Sequence, residues 1–184
     1  MTVSVRRSGP SDRQAVLDLL ERARGTGLSA QERAEQGFIQ GRWDVIKVAE
    51  LELGTGIFLA EEEGALAGIV VTSSGSGVVD EGPPRLTMDA VLASGIDTDA
   101  AGILLYGPIT VAPEFRGRGV SRALLSAVAR GLSARYRHAA LFVEHSNHRS
   151  MTVHRHFGVR EEGEFTFRDR TYTAFTFSLA AFAQ

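Results

Sequence analysis

The stretch VAPEFRGRGVSR, residues 111–122, decides how the rest of this sequence is interpreted. It follows a predicted strand, residues 103–111, and precedes residues 120–134, whose apolar side chains recur on one helical face. Glycines let a backbone approach a ligand closely, and the N–H groups of a helix's first turn have no partner within the helix. Three arginines stand in the same stretch. The pattern therefore predicts a cradle for an anion such as a pyrophosphate.

Two common phosphate motifs do not fit this stretch. A Walker loop requires Gly-Lys-Ser/Thr, but Lys47 is the only lysine of the chain. A dinucleotide fingerprint requires a third Gly or Ala, where this sequence has Arg122. A nucleotide-binding βαβ module stays an alternative, and it predicts binding of a dinucleotide without saturable binding of coenzyme A.

Outside this stretch, the pattern alternates between helices and strands. Residues 12–24 and 43–53 are predicted helices, and capping boxes are predicted at Ser11 with Gln14 and at Ser29 with Glu32. A hairpin is predicted for residues 57–72, with a solvated charged tip over residues 61–64. Later elements are a strand, a short helix and a two-stranded hairpin, at residues 139–143, 149–157 and 164–179. Residues 73–101 are rich in Ser, Gly, Pro and Asp, which predicts a long insertion with one or two helical turns.

Composition excludes several classes of function. The 184 residues include no cysteine, so disulfides, thiolate metal ligands and a cysteine nucleophile are absent. The net charge of −2 gives no general attraction for nucleic acid or anionic membranes. The longest apolar run, residues 65–71, is much shorter than a membrane span. We expect a cytoplasmic protein with no membrane or nucleic-acid partner, and we expect no metal, because the five histidines lack ligand spacing.

Residues 116–121 resemble motif A of the GNAT superfamily of N-acetyltransferases, whose signature is Gln/Arg-x-x-Gly-x-Gly/Ala. The last position departs from that signature, since it is Ser121. Residues 111–113 are similar to the Val-x-Pro that leads into the family's loop. Residues 147–159 resemble motif B, Asn-x-x-Ala-x-x-Leu-Tyr followed by Gly-Phe, with His154 at the place of the Tyr. The resemblance is strong over residues 103–159.

The resemblance implies an α/β (α+β) fold, with a mixed, mostly antiparallel sheet of about six or seven strands flanked by helices. The sheet is expected to splay between strands 4 and 5 so that the pantetheine arm of acetyl-CoA fits the gap. Residues 1–184 would form a single domain, with the insertion at about 73–101 shaping the acceptor pocket. The implied activity is transfer of an acetyl group from acetyl-CoA, the cosubstrate, to the amine of an unidentified acceptor by direct attack. That acceptor would be a small-molecule or peptide amine, and a homodimer stays open.

The resemblance also implies which residues form the site. Residues that would contact acetyl-CoA are Ile109, Thr110, Val111, Arg116, Gly117, Arg118, Gly119, Val120, Ser121 and Asn147. His154 would protonate the departing thiolate, with about a quarter of an exposed imidazole protonated at neutral pH. Two alternatives stay open here, because His154 could instead be a packed helix residue and Asn147 could instead be an N-cap. Glu144 is the candidate base, with Asp80 and Glu81 as further carboxylates.

Because His154 replaces the usual Tyr, a second hypothesis is a non-catalytic acyl-CoA-binding or interaction domain on the same fold. Tyr106, on the fourth predicted strand, could face the acceptor pocket or the core. The sequence gives no information on which amine is the acceptor.

Overall fold

A computed structural model describes residues 3–183, which form seven strands and six α-helices. The strands are β1 (Val3–Arg7), β2 (Ile57–Glu62), β3 (Ala65–Ser74), β4 (Ile103–Val111), β5 (His138–Glu144), β6 (Arg160–Phe167) and β7 (Arg170–Ser178). The helices are α1 (Arg13–Ala23), α2 (Ala30–Gln36), α3 (Val45–Leu53), α4 (Pro83–Ala93), α5 (Val120–Leu132) and α6 (His148–His156).

All seven strands belong to one sheet, in the order β1-β2-β3-β4-β5-β7-β6. Only β4 and β5 are parallel, and the other neighbouring pairs are antiparallel. The crossover that parallel neighbours require is supplied by α5, which the chain forms between these two strands. The predicted mixed, mostly antiparallel sheet flanked by helices is confirmed.

Helices cover both faces of the sheet. On the α5 face, Leu124, Leu125 and Val128 are buried against strand residues that include Leu104 and Leu141. This arrangement follows from the 3.6-residue period of the helix, which puts positions 124, 125 and 128 on one side. On the opposite face, α1 and α3 cover β2 and β3, while α4 packs on residues that include Ile103, Leu105 and Ala140. We call this side the α4 face.

The insertion contains more regular structure than the sequence predicted. Instead of one or two turns, α4 has 11 residues, and it contacts β5, β6 and β7. Pro83 and Pro84 open the helix. Proline is tolerated there because the first N–H groups of a helix have no internal partner. The two prolines therefore mark a helix start and not a continuous loop.

Of the two predicted capping boxes, the structure has the one at α2 and lacks the one at α1. At α2, the capping box of Ser29 with Glu32 is confirmed, with the Glu32 N–H donating to Ser29 Oγ at 3.2 Å. At α1, the box of Ser11 with Gln14 is wrong, because a short 3-10 turn over residues 10–12 precedes the helix. There the Asp12 carboxylate accepts a hydrogen bond from the Gly9 N–H at 2.8 Å. The side chain that binds the backbone at this helix start is therefore Asp12 and not Ser11.

Within residues 3–183, no helix combines the length and the apolar character that a membrane span requires.

Candidate functional site

The parallel strands β4 and β5 separate partway along their length. They pair at only three positions, from Ile103 with His138 to Leu105 with Ala140. Beyond them, β4 continues along β3 as far as Val111, and β5 continues along β7 as far as Glu144. A gap therefore opens between the two strands toward their carboxyl ends.

Backbone groups on both sides of this gap lack a neighbouring strand. Ala112 donates its N–H to Ala67 in β3, so the alternation of an antiparallel pair turns Ile109 and Val111 toward the gap. On the other side, His145 donates its N–H to Thr171, which turns the N–H groups of Phe142 and Glu144 toward the gap. Such an edge can pair with an extended, amide-bearing ligand.

The glycine turn lies at the start of α5, directly after β4 and its following loop. Gly117 and Gly119 have φ values of +78° and +82°, which favour glycine, and a Cβ at either position would meet open space. Gly119 is the N-cap of α5, and no side chain caps the helix there. The N–H groups of the first turn, from Val120 onward, therefore point outward beside the positive end of the helix dipole. This arrangement can accept a phosphate.

The arginines of the turn are already engaged with the protein. Arg118 lies 3.1 Å from Glu62 and 5.5 Å from the centre of the Phe115 ring. Glu62 is 3% exposed, so the predicted solvated tip of the β2–β3 hairpin is wrong at this residue. Glu62 is the last residue of β2, and its carboxylate lies close enough to the glycine turn to form an ion pair with Arg118. No sequence pattern predicted this contact, which joins residues 56 positions apart.

Arg116 is partly buried, and its Nε is 3.5 Å from the Val111 carbonyl oxygen. Burial lowers the pKa of its guanidinium, and the positive charge of Arg149 lowers that pKa further. Arg149, in the first turn of α6, was not among the predicted site residues. Arg116 and Arg149 repel each other, and an anion bound between them would relieve this repulsion.

Asn147 is the N-cap of α6. Its Oδ1 accepts from the Ser150 N–H at 3.2 Å, and its Nδ2 donates to the Phe38 carbonyl oxygen at 2.7 Å. The side chain is therefore used in the cap and in holding the loop after α2. The predicted contact between Asn147 and the pantetheine arm stays a prediction.

His154 is buried on α6, with its ring stacked on Phe175 at a centroid distance of 6.2 Å. Its Nδ1 lies 2.8 Å from the Ser150 carbonyl oxygen, which can only accept, so Nδ1 carries a proton. Burial lowers the pKa of this imidazole, although the Ser150 carbonyl acts in the opposite sense. The protonated fraction at neutral pH is therefore smaller than the quarter expected of an exposed histidine.

Glu144 ends β5 on the α4 face and has partners from three segments. Its Oε2 accepts from Gln40 Nε2 and lies 3.1 Å from Arg170 Nη1, and its Oε1 accepts from Ser146 Oγ. The negative charge of Glu144 raises the pKa of Arg170. The Tyr172 hydroxyl lies 3.3 Å from Gln40 Nε2, so it closes the cluster. Gln40 and Arg170 were not predicted, because they are far from Glu144 in sequence.

Other candidates are not part of the Glu144 cluster. Tyr106 is buried on the α5 face, edge to face with Phe177 at 5.4 Å, and burial raises the pKa of its phenol. Asp80 and Glu81 are exposed and precede α4. His138 contacts Asp97 at 3.0 Å in a structural cluster with Arg137 at the amino end of β5. Across residues 3–183, no group of three or more His, Asp or Glu side chains is arranged to hold a metal ion.

Comparison with known proteins matches the chain to the Acetyltransferase (GNAT) family over residues 14–159. No curated protein matches it significantly in sequence. Solved structures share its fold at low identity. An N-acetyltransferase from Staphylococcus aureus Mu50 has 17% identity and a TM-score of 0.62, with 97% of this chain and 99% of that chain covered.

Two further structures are similar to the same extent. A ribosomal-protein-alanine N-acetyltransferase from Brucella melitensis has 17% identity and a TM-score of 0.65, with 95% of this chain and 99% of that chain covered. A phosphinothricin acetyltransferase from Sinorhizobium meliloti, solved in complex with acetyl-CoA, has 15% identity and a TM-score of 0.64, with 97% and 89% covered. At such identities, the likeness establishes the fold.

Proposed function

The chain belongs to the acetyltransferase (GNAT) family, and we propose that it moves the acetyl group of acetyl-CoA to the amine of an acceptor by direct attack. The observation that carries this proposal is the gap between β4 and β5, which opens toward the carboxyl ends of both strands. The glycine turn follows the strand on one side of the gap, and Glu144 ends the strand on the other side. A cosubstrate with a pyrophosphate and an extended, amide-bearing arm fits an anion cradle that is followed by such a gap.

Acetyl-CoA would be held mainly by backbone groups. The N–H groups from Gly117 to Ser121 would bind the pyrophosphate, and Ile109 and Val111 would pair with the amides of the pantetheine arm. Thr110 lies between them in β4, opposite Ile69 of β3. Arg116 would add positive charge, with Arg149 beside it, whereas Arg118 would have to divide its interactions between the ligand and Glu62.

The chemistry requires a neutral amine, a stabilised oxyanion and a proton for the thiolate. The amine nitrogen forms a bond to the thioester carbonyl carbon, and collapse of the tetrahedral intermediate breaks the carbon–sulfur bond. Glu144 would take the proton that the amine loses. Its hydrogen bonds from Gln40, Ser146 and Arg170 would hold the carboxylate in place at the end of β5.

The proton for the thiolate is proposed to come from His154. A neutral ring with its proton on Nδ1 has no proton to give from Nε2, so only the imidazolium could donate at that atom. Because burial lowers the pKa of this ring, the donating form would be a minority at neutral pH. The same burial favours the second candidate function, a non-catalytic acyl-CoA-binding domain, in which His154 only packs.

The acceptor is proposed to be a small-molecule or peptide amine that binds on the α4 face, beside the insertion. This is supported by the position of α4, which packs on Ala140 two residues before Phe142 and four before Glu144. The names of the similar structures cover a ribosomal protein and phosphinothricin, so they do not define one acceptor class. A cytoplasmic location and a homodimer remain predictions.

Calorimetry with coenzyme A, with a dinucleotide as the control, combined with mass spectrometry of amines incubated with acetyl-CoA, tests the proposal. Saturable binding of coenzyme A with formation of an N-acetyl product is the expected result. Binding without any product from a broad amine panel would favour the non-catalytic domain. Binding of the dinucleotide alone would contradict both hypotheses.

A further inference from the structure

Aromatic side chains form a surface next to Glu144 on the α4 face of the sheet. Tyr172 is at its centre, stacked on Phe165 at a centroid distance of 5.3 Å and edge to face with Phe142 at 5.8 Å. The three residues come from three neighbouring strands, β6, β7 and β5. Tyr172 is buried, whereas Phe142 and Phe165 are partly exposed. We call these three side chains the aromatic floor.

The floor is continuous with the candidate base. Glu144 pairs with Tyr172 across β5 and β7, and Tyr172 pairs with Phe165 across β7 and β6. Directly paired residues have Cβ atoms about 5 Å apart on the same face. Glu144 and the floor therefore form one row, which ends at the gap between β4 and β5.

The charge in this row is already balanced. Arg170 lies 3.1 Å from Glu144, and it is half exposed. A carboxylate on the acceptor would have to compete with Glu144 for this arginine. In contrast, an acceptor with an amine and no acid group would leave the pair in place and could present its nitrogen to Glu144.

We infer that the acceptor is a primary amine carried on an aromatic ring or a compact apolar body without a carboxylate. This inference rests on the proposed acetyl transfer. The body would lie on Phe142 and Phe165, and its nitrogen would face Glu144 at the mouth of the gap. Burying ring against ring favours such a body, since aromatic pairs add to the free energy of apolar burial. A hydrophilic amine gains nothing from this surface.

Four acceptors test the inference at fixed, saturating acetyl-CoA: 2-phenylethylamine, n-hexylamine, putrescine and L-phenylalanine. Both apolar monoamines are expected to have a kcat/KM at least tenfold above that of putrescine and of L-phenylalanine. L-Phenylalanine is the sharpest comparison, because it differs from 2-phenylethylamine only by the carboxylate. Equal or better turnover of putrescine or L-phenylalanine would overturn the inference and leave acetyl transfer itself intact.

A pair of variants separates the floor from general packing. Phe165→Ala is expected to raise the KM for 2-phenylethylamine about tenfold, with the KM for acetyl-CoA changed less than twofold. Phe182→Ala is the matched control, because Phe182 packs edge to face on Phe177 at 5.3 Å on the α5 face. It should lower the melting temperature without changing the acceptor preference. An unchanged preference in folded Phe165→Ala protein would contradict the inference.

Binding gives a readout that does not depend on turnover. Calorimetry with 2-phenylethylamine and with putrescine, each added to protein saturated with coenzyme A, should show tighter binding of the aromatic amine. If no amine is acetylated but this preference is found, the proposed reaction fails and the floor stands as a binding surface. If neither amine binds, the floor does not receive an apolar amine.

Discussion

The two sides of the gap between β4 and β5 are built in different ways. The proposed cofactor side comes mainly from one continuous segment, in which β4, the glycine turn and the start of α5 follow within about twenty residues. It relies on backbone groups and on two glycines with positive φ. The proposed acceptor side comes from Gln40, Glu144, Phe165, Arg170 and Tyr172, which are brought together from distant segments.

Because of this difference, we expect substitutions on the two sides of the gap to have effects of different size. A backbone site tolerates side-chain changes unless they occupy the ligand's space or alter φ. A site made of side chains loses its chemistry when one functional group is changed. We therefore expect large kinetic effects on the acceptor side and moderate binding effects on the cofactor side.

The largest effect is expected from Glu144→Gln, which keeps the shape of the side chain but removes its ability to accept a proton. Turnover should fall by about 10²- to 10⁴-fold, the usual range for general base catalysis, with coenzyme A affinity nearly unchanged. Glu164→Gln is the control, since Glu164 is an exposed carboxylate of β6 that lies 3.4 Å from His145. Wild-type turnover in folded Glu144→Gln protein would remove the proposed base.

His154→Ala is expected to lower turnover by about 10²-fold, while coenzyme A affinity stays near the wild-type value. Burial lowers the pKa of His154, so the imidazolium is lost at a lower pH than for an exposed histidine, and activity should fall as pH rises through that pKa. His154→Tyr should extend activity to higher pH, because a phenol keeps its proton to about pH 10.

His156→Ala on the same helix is the control for this experiment, because His156 is exposed. The pH profiles must be measured with one acceptor, since deprotonation of the amine favours turnover at higher pH. An alanine variant of His154 with wild-type turnover and an unmoved pH profile would assign this residue to packing alone.

On the cofactor side, Gly119→Ala should weaken coenzyme A binding about tenfold, or about 1.4 kcal/mol, by putting a methyl group where the phosphate approaches. Gly64→Ala is a close match, because Gly64 has φ +80° against +82° for Gly119, and both Cβ positions meet open space. Both variants should lose a similar free energy of unfolding, about 1 kcal/mol, from backbone strain. Equal affinities by calorimetry would place the cradle elsewhere.

The smallest effect is expected from Arg116→Ala. Arg116 is partly buried, but solvent and salt still screen its charge, so coenzyme A affinity should fall by no more than about fivefold, and less at high salt. Arg130→Ala, in the last turn of α5, changes the net charge equally at the other end of the helix. A hundredfold loss at high salt, seen only with Arg116→Ala, would show that side chains and not the backbone hold the anion.

The individual helices and strands could be predicted from the sequence because their signals are local, whereas the mixed sheet was implied by the resemblance of residues 103–159 to the GNAT superfamily. The strand over residues 103–111 and the helix after Gly119 were predicted from periodicity and glycine spacing, which act over a few residues. The Ser29–Glu32 box was predicted for the same reason. By contrast, the length of α4 was underestimated, because Pro83 and Pro84 indicate both a loop and a helix start.

Contacts between residues far apart in the sequence could not be predicted from local patterns. From the sequence, Glu62 was predicted to lie in a solvated charged turn. Its ion pair with Arg118 forms because the fold puts the end of β2 beside the glycine turn. Gln40 reaches Glu144 across 104 positions. No spacing rule links such pairs, since their distance depends on the complete topology.

The early separation of β4 and β5 has a consequence for hydrogen exchange. In the free protein, the amides of Phe142 and Glu144 face the gap without a strand to accept from them, while Val143 lies on the edge that pairs with β7. The two gap-facing amide protons should exchange with solvent deuterium much faster than that of Val143. A ligand that pairs with this edge would slow their exchange selectively, so alternate residues along one strand would report occupancy of the gap before any product forms.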